Sequence, residues 1–166
     1  MSTHISAVNQ KLLFARQLLR MLDASGCSGS HQIAATAQSV AVQLHQAWLW
    51  HCRNIAEGYK LQDLQSVTDG DSLVALLAKQ GKCPGEATEL QALQQNPGSW
   101  LSELLTAHDN IYLLPVVRKA EMDVDRLPMI ALDGPVVVEW SVERAQVWLQ
   151  SLEELIDRHR EMMIEF

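Results

Sequence analysis

The stretch from Ser30 to Lys60 constrains the fold of this chain more than any other part of its sequence. Apolar residues recur there close to the helical period of about 3.6, in two neighbouring lines. The first line is Ile33, Ala37, Val40, Leu44, Trp48, Ile55 and Tyr59, and the second is Ala34, Ala41, Trp48, Cys52 and Ala56. Together they form an arc wider than the stripe of about 100° on an ordinary surface helix. We therefore predict a long helix that packs against several neighbours.

The polar side of this helix is interrupted by a tryptophan. Trp50 lies between Gln46 and Arg53 on a stripe that is otherwise polar. Tryptophan and arginine are enriched in protein interfaces, where a few such residues supply most of the binding energy. We therefore predict an interface that contains Trp50, Arg53, Gln46 and Trp140. The alternative is that the segment 115–138 folds across Trp50, and that Trp140 packs on its own helix.

Helical periodicity continues on both sides of this stretch. Three more long helices are predicted: one from about Ser2 or Thr3 to Ala24, one that starts at Asn96-Pro97 and runs to Pro115, and one that follows a Ser141 cap to near Phe166. An asparagine before a proline suits a helix start, because asparagine caps free N–H groups and proline has a helical φ. Two short helices are also predicted, one from Ser72 to Gln80 with Asp71 as its cap and one after Pro84.

The fold class that follows is all-α. We predict an antiparallel bundle of four long helices plus two short ones, forming a single domain over residues 1–166. Residues 115–139 have no sustained period and mix charges of both signs, which indicates an irregular and mobile loop before the C-terminal helix.

Composition narrows the classes of function. The chain has 13 basic and 20 acidic residues, so its net charge of −7 disfavours binding to nucleic acid. The 3 cysteines are widely spaced and form no Cys-x-x-Cys pair, which is typical of a reducing cytoplasm. No signal peptide and no membrane-spanning run is visible, so we expect a soluble cytoplasmic protein.

Histidines on core-facing stripes are the main candidates for chemistry. Imidazoles of His45, His108 and His159 come from three different long helices and, if they converged, could bind a divalent metal with an open position. None of them lies in a Glu-x-x-His or His-Glu-x-x-His motif, and no metal or other cofactor is expected. His51 and Cys52 are adjacent on a helix and point about 100° apart, so they do not form a nucleophile pair.

A local basic surface is a further alternative. Lys11, Arg16 and Arg20 lie on the first predicted helix and could contact RNA despite the net negative charge. Such binding would depend steeply on salt, because it would release counterions from phosphates.

Three segments resemble a family of gammaproteobacterial proteins of about this length that is known as a domain of unknown function. They are Asn9-Gln10-Lys11-Leu12-Leu13-Phe14-Ala15, then Ser99-Trp100-Leu101 leading to Ala107-His108, and the end from Arg160 to Glu165-Phe166. The resemblance implies a small cytoplasmic helical protein without an assigned activity, and it carries over no catalytic residues. The sequence thus predicts a non-enzymatic protein-interaction or self-associating module with a protein partner or a homodimer. A three-histidine metal enzyme and an RNA-binding helical domain are the alternatives.

Overall fold

The fold is described from a computed structural model, which covers residues 3–26, 29–114 and 139–164. All regular structure in these ranges is helical, so the all-α class is confirmed. The six α-helices are α1 (Thr3–Ala24), α2 (Ser30–Gly58), α3 (Gly70–Lys79), α4 (Gly85–Gln95), α5 (Trp100–Asn110) and α6 (Val142–Ile164), and Leu64–Ser66 form one 3₁₀ turn. The predicted loop over 115–139 lies outside the described residues except for Glu139, which is exposed and not helical.

Helix α2 lies at the centre of the fold. It is the longest helix, with 29 residues, and it contacts every other α-helix. Ala47, Trp48 and Ala56 are buried at well-separated angles around it, as the broad apolar arc predicts. Full burial of a large side chain such as Leu44 or Ile55 contributes about 1.5–3 kcal/mol, so α2 supplies a large share of the hydrophobic stabilisation.

Helices α1 and α6 pack on α2 through narrower stripes. The buried residues of α1 are Val8, Leu12, Ala15, Leu19 and Leu22, and those of α6 include Trp148, Leu152, Leu155 and Ile156. Steps of three and four residues place each set on one side of its helix. The contact between α1 and α2 is the most extensive of all helix pairs.

Helix α5 is shorter than predicted. It has 11 residues and ends at Asn110, so the described residues form three long and three short helices rather than four and two. Its cap is Ser99, whose Oγ accepts from the Ser102 N–H at 3.0 Å. Asn96 instead closes α4, because a residue before proline is disfavoured in the helical region, and its Oδ1 accepts from the Gly98 N–H at 3.1 Å.

The cap of α3 also differs from the prediction. Asp69, not Asp71, accepts from the Ser72 N–H at 2.7 Å, and the Ser72 hydroxyl accepts in return from the Asp69 N–H. This reciprocal capping box satisfies two N–H groups and starts the helix two residues earlier. Asp71 is then free to accept hydrogen bonds from Gln91 and Gln95 of α4, which ties the two short helices together.

Candidate functional site

Few polar side chains are buried in the part of the chain that the structure describes. They are His51, Asn54, Glu86, Ser99 and His159. A buried polar group costs free energy unless it is hydrogen-bonded, so such residues mark positions of structural or chemical importance. The two histidines are bonded to each other and form the centre of the candidate site.

His51 and His159 meet between α2 and α6. His51 belongs to the buried arc of α2, and His159 follows the buried residues Leu155 and Ile156 of α6 at helical spacing. The distance from His51 Nε2 to His159 Nδ1 is 3.0 Å. His159 is 0% exposed and His51 is 1% exposed, so water does not compete for this bond.

Glu89 extends the bond into a line that reaches helix α4. Its Oε2 lies 3.0 Å from His159 Nε2, and its Oε1 accepts from the exposed Arg158. A carboxylate only accepts, so His159 Nε2 carries a proton and donates it to Glu89. Nδ1 of the neutral ring is then an acceptor, which requires that His51 Nε2 donate to it. We call His51, His159 and Glu89 the histidine line.

The environment of the line keeps both rings neutral near pH 7. Burial, His159 and Arg160 lower the pKa of His51 to about 3. Burial also lowers the pKa of His159, although the hydrogen bond from this ring to Glu89 and the charges of Glu89 and Glu86 oppose that effect. Burial alone would raise the pKa of Glu89, but hydrogen bonds from His159 and Arg158 outweigh it and hold the pKa below its usual value.

A second buried carboxyl lies on the same helix as Glu89. Glu86 is 3% exposed and accepts from the Tyr59 hydroxyl, whose oxygen is 3.3 Å from both carboxyl oxygens. Burial and the neighbouring Glu86 raise the pKa of Tyr59. Because its charge acts on His159, Glu86 belongs to the electrostatic surroundings of the histidine line.

His45 and His108 form a different kind of pair between α2 and α5. Their rings are stacked with centroids 3.7 Å apart and planes 5° from parallel. Trp48 and Tyr112 contact this stack, at centroid distances of 5.4 Å from His45 and 5.3 Å from His108. Burial and His108 lower the pKa of His45 to about 4, against a smaller opposing effect of Asp109. Among the described residues, the buried atoms His108 Nδ1 and Trp48 Nε1 have no hydrogen-bond partner.

The three histidines predicted as metal ligands are thus paired differently from the hypothesis. His45 contacts His108 face to face, whereas His159 is bonded to His51 and uses both ring nitrogens in hydrogen bonds. Within residues 3–26, 29–114 and 139–164, no group of three potential ligand side chains is placed to hold a metal ion. The metal hypothesis stays a prediction that elemental analysis of untagged protein would test.

The predicted interface residues of α2 are half-buried by contacts within the chain. Lys11 of α1 places its Nζ over the Trp50 ring, 5.4 Å from the centroid, and 5.7 Å from that of Phe14. Arg53 Nε donates to the Val67 carbonyl at 3.1 Å, and Gln46 is half-buried on the same helix. An interface role for these residues remains a prediction.

Trp140 and the predicted basic surface also have internal partners. Trp140 lies just before α6 and packs edge to face on Trp148 of that helix, with centroids 6.4 Å apart. Arg16 Nε donates to Glu153 of α6 at 2.6 Å, while Lys11 lies over aromatic rings and Arg20 is exposed. Two of the three basic residues are therefore engaged in contacts within the protein.

His51 and Glu89 are the members of the line that sequence reasoning missed. The spacing of His51 from Trp48 and Ile55 places it on the buried arc, and this signal was available in the sequence. Its neighbour Cys52 is fully buried, and burial raises the pKa of that thiol, as expected for a structural cysteine. No sequence signal connects Glu89 to His159, since the two are separated by 70 residues.

No helix among the described residues is both long and apolar enough to cross a membrane. Fold and site define an all-helical protein whose buried histidines and carboxylates join separate helices. The chain belongs to a family of unknown function, DUF6586, whose match spans residues 1–166. No curated protein and no solved structure matches the chain.

Proposed function

We propose that this protein is a non-enzymatic interaction module of the gammaproteobacterial cytoplasm that binds a second copy of itself. The observation that carries the proposal is a line of apolar side chains on α1 that faces away from the core. Phe14 and Met21 are 42% and 65% exposed, and the half-buried Leu18 lies between them. Scattered apolar residues are normal on a protein surface, but steps of four and three residues place these three on one side of the helix.

The exposed line of α1 is continuous with Trp50 of α2. Lys11 lies between Phe14 and Trp50 and contacts the rings of both. We call Phe14, Leu18, Met21 and Trp50 the α1–α2 face. Aromatic residues and methionine are enriched where proteins associate, and a lysine stem over aromatic rings adds apolar area to such a surface.

The relative direction of α1 and α2 keeps the residues of the α1–α2 face together. His4 lies 3.0 Å from Glu57, and Lys11 lies over Trp50, so residues advance along α1 as they retreat along α2. We infer that the long helices form an antiparallel bundle, which keeps the exposed sides of α1 and α2 next to each other over several turns. The cytoplasmic location rests on the free thiols of Cys52 and Cys83 and on the family resemblance.

Sedimentation velocity over a range of concentrations tests the proposal. The double variant Phe14→Asp, Met21→Asp should weaken self-association at least tenfold, about 1.4 kcal/mol, because it places two charges in the apolar contact. Trp50→Ala should also weaken it, with helicity retained by circular dichroism.

Leu13→Asp is the matched control. Leu13 is 51% exposed on α1, but it lies about 100° around the helix from Phe14 and outside the α1–α2 face. It should leave the association unchanged. A wild-type protein that stays monomeric at high concentration, or an equal effect of all the variants, would contradict the proposal.

A further inference from the structure

One line of hydrogen bonds joins three helices in the interior. It runs from His51 of α2 through His159 of α6 to Glu89 of α4, with both bonds at 3.0 Å. Arg158 caps the outer end at the surface, where its side chain is 52% exposed. The line therefore links a buried part of α2 to charged groups at the protein surface.

The line is satisfied without a buried charge on either ring when both rings are neutral. In that state each of its two bonds contains one N–H and one acceptor. One extra proton on His51 Nδ1 keeps both bonds, but it places a positive charge on a ring that is only 1% exposed. Two extra protons place an N–H of His51 directly against an N–H of His159, and the bond between the rings is lost.

The charges around the line decide how it responds to the first proton. Helix α6 places Arg160 near His51 and Arg158 near His159, and both disfavour a further positive charge. Helix α4 places Glu86 and Glu89 near His159, which favour it. The Tyr59 hydroxyl, which follows α2, is bonded to Glu86. Burial adds to the effect of the arginines, so a proton is taken up more readily when the line is open to water.

The end of α6 is suited to separate from the rest of the fold. Before His159, the helix is held by the buried residues Leu152, Leu155 and Ile156. After it, Arg160, Met162 and Met163 are only half-buried and Glu161 is exposed. Segments with few buried apolar contacts open at lower free energy than the core, so this end can detach without global unfolding.

We propose that the histidine line is a proton-operated clamp that fastens the C-terminal end of α6 to α2 and α4 and opens in acid. Opening separates His51 from His159, exposes both rings to water and releases the helix from His159 onward. The inference is independent of the proposed self-association, because α6 contributes no residue to the α1–α2 face.

Hydrogen–deuterium exchange followed by mass spectrometry, corrected for the intrinsic effect of pH, tests the clamp in the wild-type protein. We take opening to return the pKa of His51 from about 3 to its ordinary value of 6.5. The equilibrium constant for opening then grows roughly 50-fold between pH 6.5 and pH 4.5. Protection of peptides that cover the end of α6 should fall by at least that factor. Peptides from α1 and the middle of α2 should keep their protection.

Variants separate the clamp from general destabilisation. Glu89→Gln removes the charge that holds the His159 tautomer, so the end of α6 should lose about tenfold protection already at pH 7. Arg158→Gln removes only the exposed ion pair and should have a much smaller effect. Glu153→Gln removes the ion pair between α6 and Arg16 of α1 and should leave the pH response unchanged.

The double variant His51→Gln, His159→Gln removes both titrating rings, and its exchange at the end of α6 should not change between pH 6.5 and 4.5. If this variant fails to fold, the wild-type measurement decides alone. Protection at the end of α6 that is constant over this range in the wild-type protein would overturn the proposal. A loss of protection that is equal in all helices would also overturn it, since that is global acid unfolding.

Discussion

The two histidine pairs of this protein join α2 to its neighbours in opposite ways. His51 and His159 meet edge to edge, with nitrogens 3.0 Å apart and a carboxylate on the far side. His45 and His108 meet face to face, with ring centroids 3.7 Å apart. The first pair is fully buried, whereas His45 and His108 are only half-buried.

The contrast shows that histidine stabilises the two helix contacts through different forces. A buried hydrogen bond is directional, and removal of one partner leaves the other unsatisfied at a cost of about 1–3 kcal/mol. Stacked rings are held by dispersion and by burial of area, which tolerate replacement by another flat or apolar side chain. We therefore expect the edge-to-edge pair to be sensitive to substitution and to pH, and the stacked pair to be more tolerant.

Alanine substitution should produce the largest difference between the two pairs. His159→Ala removes a fully buried ring and leaves His51 Nε2 and Glu89 Oε2 without the bonds they make to it, so we expect a loss of about 3 kcal/mol in the free energy of unfolding. His108→Ala should lose about 1 kcal/mol, because its Nδ1 makes no hydrogen bond that the substitution could break. Urea unfolding followed by circular dichroism measures both. Equal losses would mean that the hydrogen-bonded line contributes nothing beyond ring volume.

Acid should reveal the next largest difference. The pKa of His51 is lowered from 6.5 to about 3, so its contribution to stability is complete above pH 6.5 and is lost as the pH falls toward 3. Between pH 7.5 and pH 5 this amounts to about 2 kcal/mol, because the unfolded ring binds a proton that the folded ring does not.

Glutamine variants assign that loss to one pair. His51→Gln keeps an N–H donor but does not titrate, so it should remove most of this loss between pH 7.5 and pH 5. His45→Gln should remove less, although the pKa of His45 is about 4, because water reaches this half-buried ring and screens its charge. The free energy of unfolding in urea is measured for both variants at pH 7.5 and pH 5. An equal change in the two variants would show that the acid response does not depend on how deeply each pair is buried.

The smallest effect should come from the surface end of the line. Arg158→Gln breaks an exposed ion pair with Glu89 but leaves the bond from His159 intact, so we expect a loss below about 1 kcal/mol. That loss should shrink further at high salt, because exposed charges are screened. Urea unfolding at low and high ionic strength measures this loss. A loss as large as that of His159→Ala would show that the ion pair, and not the hydrogen bonds between the rings and Glu89, supplies most of the stabilisation.

Much of the secondary structure could be predicted from local patterns. Helix α1 ends at Ala24 as predicted and begins at Thr3, one of the two predicted starts. Ser141 caps α6 as expected, with its Oγ accepting from the Arg144 N–H. The start of α5 was predicted three residues early, because Asn96 and Ser99 both have the chemistry of a cap. Which of them is used depends on the end of α4, where Ser99 also donates to the Leu93 carbonyl.

The candidate site was predicted only in part. His45, His108 and His159 were singled out because they lie on apolar stripes, and the structure places all three between helices. The prediction that the three imidazoles converge requires short distances between helices, and the periodicity of a single helix contains no information about those distances. His51 lies on the buried arc of α2, but its partner His159 is 108 residues away on α6, and no pattern within α2 indicates it.

The amino-acid sequence by itself determined that this chain is helical, which side of each long helix is buried, and that few polar groups enter the core. These properties follow from spacing along a single helix, where residues three and four apart share a side. Only the tertiary structure decided that His159 meets His51 and Glu89 rather than His45 and His108. The reason is that partners across helices depend on the rotation and register of one helix against another, which the packing of the whole core sets.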